Sequence, residues 1–545
     1  MRNAKRNLLM AIGITLLLPL AGDAQSNRQK ARKQNTKVKT AARQTSPSTS
    51  TSASSRKQNY MKKALSLANS KQYEEASKLL FQMSRSPMFA DQSAQVKYVL
   101  GMTLLEMKLN QAAAFVFYDV VRQEGRNTGS KYLRLALSKL SLAADALESD
   151  VMLRYAIRKV DENDFPASQK DMLYYRLGES KLADKEFGEA VRLFSKVRGT
   201  SAYGLRAKYS QGLAYAESKN NEQALGAFEQ LIAGSRQTVT DRNRVNGLIG
   251  RARVLYQMQR WGDSIEAYRQ IPRDTEQWHD ALFESSWAML RGARFRSALS
   301  NFHSLHSAFY DEHYQPESLL LRAIVYLYIC RYDEMEKVLD LFDRQYKPVQ
   351  TQIRTALQNN RDSLSFFKEL NRKDEEQQSG LKKSYTNQAG RLPNLVVSFI
   401  KKEGDVRKSL NYLRRLENEK RRINSLSTSW RTSGIGKYTQ KIVEKRIEST
   451  RVLAGKQFRR HLILVQNDLR DLFEQSNFLR FEMISGKKEV VKKEIAGKGL
   501  VREKIDEDSS RDYYVQNGYE YWPFTGEYWL DEIGNYHYVG VQACE

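Results

Sequence analysis

Residues 178–197 read GESKLADKEFGEAVRLFSKV and residues 212–231 read GLAYAESKNNEQALGAFEQL. Gly178, Ala190, Phe194 and Val197 of the first stretch return as Gly212, Ala224, Phe228 and Leu231 of the second, 34 residues later. A small residue allows two helices of one hairpin to approach closely, and the aromatic sixteen positions on fills the space between neighbouring hairpins. A lone hairpin of this kind cannot bury its apolar face, so it has to stack on copies of itself.

Working outward, Gly101, Ala113, Phe117 and Val120 keep the same offsets, as do Ser286, Ala298, Phe302 and Leu305. Ala252, Ser264, Tyr268 and Ile271 form another version, and Ala323, Met335, Leu339 and Phe342 a further one. Ala64, Ala76, Leu80 and Met83 open the series, and Leu153, Ile157 and Val160 are a degraded copy. The large residue of each second helix falls at Leu80, Phe117, Ile157, Phe194, Phe228, Tyr268, Phe302 and Leu339, in steps of 37, 40, 37, 34, 40, 34 and 37. About eight hairpins are therefore expected over residues 60–346. The whole chain reads as all-α, which suits its 9 prolines in 545 residues.

The spacing resembles the tetratricopeptide repeat family, whose 34-residue helix-turn-helix units stack into a right-handed superhelix with a concave groove. The resemblance covers about half the chain and implies groove-facing side chains three residues before, one after and five after each small residue. On this chain those offsets include Tyr98, Tyr175, Tyr209, Phe283, Trp287 and Tyr328. Such a groove is aromatic and apolar, suited to a helix or an extended segment of a protein partner. The alternative is that these aromatics pack between repeats.

Residues 1–24 combine Arg2, Lys5 and Arg6 with an apolar run over 8–21 and small residues at Gly22 and Ala24, the pattern of a secretory signal peptide. An uncleaved anchor is the rival reading, but a spanning helix needs roughly 20 apolar residues. Residues 25–59 are rich in Lys, Arg, Ser and Thr, and no acid occurs from 25 to 63, so a disordered basic tether is expected. Export to the periplasm or peripheral attachment to the cell envelope follows, and with it contact with an anionic membrane surface or the cell wall. Only Cys330 and Cys544 are present, too few for a disulfide framework. Cys330 reads as a buried thiol, with a single bridge as the alternative.

From residue 347 to 510 the repeat spacing lapses. Phe458, Leu462, Val465, Leu469, Leu472 and Leu479 recur at near-heptad intervals, pointing to long helices or a coiled coil, with Gly434 and Gly436 at a turn. Residues 401–450 carry 14 basic and 6 acidic side chains. Residues 511–545 differ again: after Arg511 there are six acids and no Lys or Arg, and ten aromatics lie between Tyr513 and Tyr538. Turn signals at Asn517-Gly518, Gly526 and Gly534-Asn535 suggest β-hairpins. Tyr519, Trp522, Phe524, Tyr528 and Trp529 are the candidate interaction residues there, to dock on this chain's own basic helices, to anchor a partner or to stack on a glycan. The run from Trp522 to Glu532, with Gly534 and Tyr536, is similar to C-terminal segments of repeat proteins in gliding-motility complexes of Gram-negative bacteria, over less than a tenth of the chain.

Chemistry-bearing motifs are missing from the sequence. Gly434-Ile435-Gly436-Lys437 lacks the spacing of a phosphate loop. His303, His306 and His313 cluster without a metal-site pattern and read as packing or solvent-facing residues. No enzyme activity, cofactor or metal is expected, and no nucleic acid despite a net charge of +26, because no reading module is visible. The expected function is a protein-protein interaction scaffold of the envelope, with a peptidoglycan-binding protein or a regulator of a cell-wall enzyme as the alternative.

Overall fold

The computed structural model describes residues 50–125, 130–157, 165, 167–236, 241–310, 313–359, 362–378, 392–495, 528–536 and 538. Among them every regular element is helical. Sixteen α-helices form eight hairpins: α1 (Ser50–Asn69) with α2 (Tyr73–Arg85), α3 (Ser93–Glu106) with α4 (Asn110–Glu124), α5 (Lys131–Leu147) with α6 (Val151–Ile157), and α7 (Lys170–Ala183) with α8 (Phe187–Ser195). Then come α9 (Gly204–Glu217) with α10 (Asn221–Gly234), α11 (Arg242–Gln257) with α12 (Trp261–Arg269), α13 (Trp278–Arg291) with α14 (Phe295–Leu305), and α15 (Pro316–Tyr328) with α16 (Tyr332–Asn359).

Each hairpin turns on one residue in the left-handed region: Lys71, Lys108, Glu148, Lys185, Lys219, Gln259, Ala293 and Cys330. In all eight turns the next residue donates its N–H to the carbonyl five positions back, as Leu109 does to Leu104 and Asn220 to Tyr215, both at 2.9 Å. This closing bond satisfies a carbonyl that the helix end would otherwise leave bare. Each turn residue stands nine positions before the large residue of its second helix, so the backbone repeats in the same steps as the side chains.

Between the two helices the small residue and the aromatic meet. A Cβ added at Gly101 would stand 2.6 Å from the Phe117 ring, one at Gly178 2.6 Å from Phe194, and one at Gly212 2.8 Å from Phe228. Phe117 and Phe302 are fully buried, and Leu80 and Leu339 hold the same place at the two ends of the array.

Two boundaries differ from the sequence reading. Helix α1 starts at Ser50, inside the stretch read as a tether to residue 59, and Met61 and Ala64 bury its apolar side. The last second helix runs through residue 346 to Asn359, because Tyr346, Val349, Ile353 and Ala356 continue its buried stripe past Pro348. Residues 347–359 therefore belong to the repeat array.

Beyond it lie α17 (Ser363–Gln378), α18 (Asn394–Lys401), α19 (Gly404–Asn424), the short α20 (Thr428–Thr432) and α21 (Gly434–Ile495). The turn expected at Gly434 and Gly436 is there, since α20 and α21 meet at Ser433. Helix α21 has 62 residues and is about 93 Å long at roughly 1.5 Å per residue. Its heptad-like residues are buried, but against several partners in turn, not against one coiled-coil mate: α20, α19, α17, and then α15 and α16.

Candidate functional site

The first helix of each unit carries the positions the sequence reading assigned to a partner groove, and the structure divides them. Tyr98 and Tyr209 are half-buried, Tyr175 is buried, and each leans on the aromatic of its own unit: Tyr98 on Phe117 at 6.0 Å, Tyr175 on Phe194 at 6.1 Å, Tyr209 on Phe228 at 6.0 Å. Tyr98 also meets Tyr132 of the next unit at 6.0 Å, and Tyr175 meets Tyr203 at 5.4 Å. These tyrosines couple adjacent hairpins and still show an edge at units two and five. Phe283 and Trp287 are only 3% and 2% exposed, so in unit seven the same offsets are packing positions with no surface to offer. Tyr328 is 60% exposed and stacks on Phe295 at 5.6 Å. Around the half-buried tyrosines, Met102 and Leu213 are also half-buried, and Glu106 and Glu217 face outward.

Sequence reasoning missed the partly buried ion pairs that bind units together. Arg253 grips Glu284 with two bonds of 2.7 Å, and the Tyr268 hydroxyl donates to the same carboxylate at 3.0 Å. Burial alone would depress the Arg253 pKa, but the facing Glu284 carboxylate outweighs it and raises the value. Burial, reinforced by Glu284, holds the Tyr268 hydroxyl well above its usual range. Arg176 plays the same part between Glu179 at 2.9 Å and Asp145 at 3.4 Å. Residues spaced 31 apart carry no local signature, so only their juxtaposition reveals them.

The brace formed by α19 to α21 has one foot on the first two units. Trp430 is fully buried and donates its indole N–H to Ser77 at 2.8 Å. Tyr438 packs on Phe81 at 5.3 Å, and Arg446 lies over Phe115 at 5.1 Å. Glu419 accepts the N–H groups of Gln111 at 2.7 Å and Ala112 at 3.1 Å, which caps the N-terminus of α4. Burial pushes its carboxyl up to about 7, although both N–H bonds pull the other way. The other foot stands on the last unit, where Phe473 meets Phe342 at 4.9 Å and Arg480 pairs with Asp340 at 2.9 Å and Asp343 at 3.1 Å. Lys487 adds Asp333 at 3.0 Å and Glu336 at 2.9 Å. Several basic residues of 401–450 are thus engaged within the chain, among them Arg415 with Glu148.

Of the C-terminal candidates, Tyr519, Trp522 and Phe524 lie outside the described residues. Tyr528 packs against His303 at 5.2 Å, with Tyr536 on the same ring at 4.3 Å, and Trp529 is 60% exposed. The described part of this segment is a turn without strands, seated on unit seven of its own chain. His303 is held down to about 4 by burial. His279 and His313 pair at 4.3 Å, and His306 bonds Ser318 at 2.9 Å, so the histidine cluster is a packing feature; among the described residues no group of three could hold a metal. Cys330, read from sequence as a buried thiol with a single bridge as the alternative, is half-buried at a hairpin turn and disulfide-bonded. Among the described residues no helix is long and apolar enough to cross a membrane.

No family model matches the chain, and no curated protein matches it. Solved structures do. A putative kinesin light chain from Podospora anserina with nearly identical TPR-like repeats is 14% identical, covering 33% of this chain and 96% of that one, at a TM-score of 0.29. A tetratricopeptide repeat protein from Parabacteroides merdae is 11% identical, with 53% of this chain and 92% of that one covered, TM-score 0.24. A Rap protein complexed with Competence and Sporulation Factor is 12% identical, with 67% and 99% covered, TM-score 0.28. Those overall superpositions are low; among the described residues eight hairpins, each with a left-handed turn and a large side chain nine residues on, make this an all-α solenoid of stacked helical hairpins.

Proposed function

We propose that the protein is a non-catalytic scaffold of the bacterial cell envelope that holds a partner polypeptide on the first-helix face of its repeats. The observation that carries this reading is the brace: one continuous helix joins the first two units to the last, so the array is held as a rigid frame. Its larger contacts fall on α2, α4, α15 and α16, and none of them on the first helices of units two and five. There a half-buried tyrosine, an apolar side chain and a carboxylate line up, Tyr98 with Met102 and Glu106, and Tyr209 with Leu213 and Glu217. A rigid frame presents such a row without the ordering cost that a flexible array would incur on binding. The disulfide at Cys330 fits an oxidising compartment, in keeping with the signal-like N-terminus and with membership of an envelope complex.

Photo-crosslinking in cells tests the proposal. Probes at Met102 and Leu213 are expected to trap the same polypeptide, and probes on second helices at Glu229 and Glu266 are expected to trap none of it. Equal trapping from both faces removes the groove assignment. A glycan-binding reading keeps one supporting observation, the exposed Trp529. Sedimentation with purified peptidoglycan would then fall on Trp529→Ala, and unchanged sedimentation removes that role.

A further inference from the structure

Near its C-terminal end helix α21 carries two apolar faces, and only one of them is used. Leu479 and Met483 are buried, and Gly486 lets Tyr332 of α16 approach so closely that a Cβ there would clash with its ring and hydroxyl. With Arg480 and Lys487 paired to acids of α16, this face seats the helix on unit eight. On the other face Phe478, Phe481 and Ile484 are 53%, 65% and 61% exposed. They form one row, because residues three apart on a helix are neighbours. A single exposed apolar side chain is ordinary, but three in a row, two of them phenylalanine, mark a surface that something covers.

The polar residues around the row are arranged to suit a copy of itself. Glu474 and Lys488 share the face of Phe481, seven residues before it and seven after. Both are exposed, and neither makes an ion pair among the described residues. When a second α21 lies antiparallel on the first, with a twofold axis at Phe481, Phe481 meets its own counterpart and Phe478 meets Ile484. In the same register Glu474 meets Lys488 and Asn477 meets Ser485, each pair occurring twice. Arg470 and Lys492 come opposite each other at the ends, but each already has an acid beside it, Asp471 at 3.3 Å and Glu489 at 2.6 Å. A parallel copy sets Glu474 against Glu474 and Lys488 against Lys488, which like-charge repulsion disfavours.

We propose that residues 470–492 of α21 form an antiparallel, twofold-symmetric contact with a second copy of this chain, so that the protein dimerises through its brace. The apolar row supplies the centre of the interface, and the charges at its two ends fix direction and register.

Sedimentation equilibrium on the full-length chain tests this, and a reversible monomer–dimer equilibrium is expected. Phe481→Glu should raise the dimer dissociation constant about thirtyfold or more, since it removes the central contact and sets two carboxylates face to face. Glu474→Lys should raise it about tenfold, and adding Lys488→Glu should return it to the wild-type value, because the exchanged charges again face their opposites. Circular dichroism should show the same helix content in all three variants. A monomer at every concentration overturns the proposal, whether the row is then covered by residues 496–527 of the same chain, by another protein or by lipid. So does a dimer indifferent to Phe481→Glu, or one that the charge exchange does not restore. Loss of helix in Phe481→Glu makes the row a packing surface of the chain itself and likewise overturns it.

Discussion

The repeat array and the brace bury side chains of the same kind at opposite distances along the chain. In the array Phe228 fills the space that Gly212 leaves open, sixteen residues away, and every hairpin repeats the arrangement. In the brace Trp430 bonds Ser77 and Glu419 caps Gln111, across 353 and 308 residues. Local contacts close short loops and form early, whereas the first foot of the brace forms against the loop-closure entropy of more than half the chain. The array repeats one local arrangement, and the brace ties its first units to its last.

The strongest blow to that division falls in unit seven. Phe283→Ala and Trp287→Ala each remove a side chain at most 3% exposed and should each cost about 3–5 kcal/mol. Helix content by circular dichroism should fall and the urea midpoint should drop sharply. If helicity is intact and only partner capture is lost, these residues serve a groove after all and the packing assignment fails.

Trp430→Ala and Phe228→Ala should each cost about 3–5 kcal/mol as well, from opposite sides of the comparison. Hydrogen exchange tells them apart. Loss of Trp430 should open α19, α20 and the start of α21 while units four to six keep their protection. Loss of Phe228 should open unit five and its neighbours while α21 stays closed on α16. Identical exchange patterns in the two variants would mean that array and brace unfold as one body.

Glu419 gives the brace a pH dependence of its own. Its carboxyl titrates near 7 in the folded chain, against 4.5 for a glutamate free in solution, so between those points the folded state binds the extra proton. Its contribution is therefore complete below about pH 4.5 and is lost as pH rises through 7, on the order of 3 kcal/mol in all. Urea midpoints at pH 5 and pH 8 should differ accordingly, and Glu419→Gln should flatten the difference. A slope unchanged in that variant would assign the dependence to another group.

Legibility followed the same divide. The eight large residues, their steps and the small residues opposite them were readable because each depends on neighbours within one or two turns of a repeat. The stripe from Phe458 to Leu479 was readable as a buried face, but its mates were not, because a heptad pattern says that a face is covered and not by what. Phe283 and Trp287 occupy groove offsets yet are buried, since the offset fixes the side of the helix and the closeness of the next hairpin decides exposure. The seat for the C-terminal turn, where the N–H groups of Gly534 and Tyr538 donate to Ser304 and Ser300, had half a signal, Gly534-Asn535, and nothing at either serine to match it.

The turn residues offer the finest probe of the array, because they act without touching any packing contact. Lys71, Lys108, Lys185 and Lys219 all hold φ between 62° and 64°, where a side chain costs roughly 1–2 kcal/mol and glycine adopts the angle freely. Part of that gain is returned through the greater freedom of glycine in the unfolded chain, so each Lys→Gly should raise stability by only about 0.5–1 kcal/mol. The gain should show as a raised urea midpoint, as for Lys219→Gly, where both flanking helices run 14 residues. A Lys→Gly change inside α21 should lower stability instead, since a helix interior loses about 1 kcal/mol on accepting glycine. Should Lys219→Gly destabilise the chain, the left-handed turn is not the joint on which the hairpins fold, and the match between backbone and side-chain steps would lose its cause.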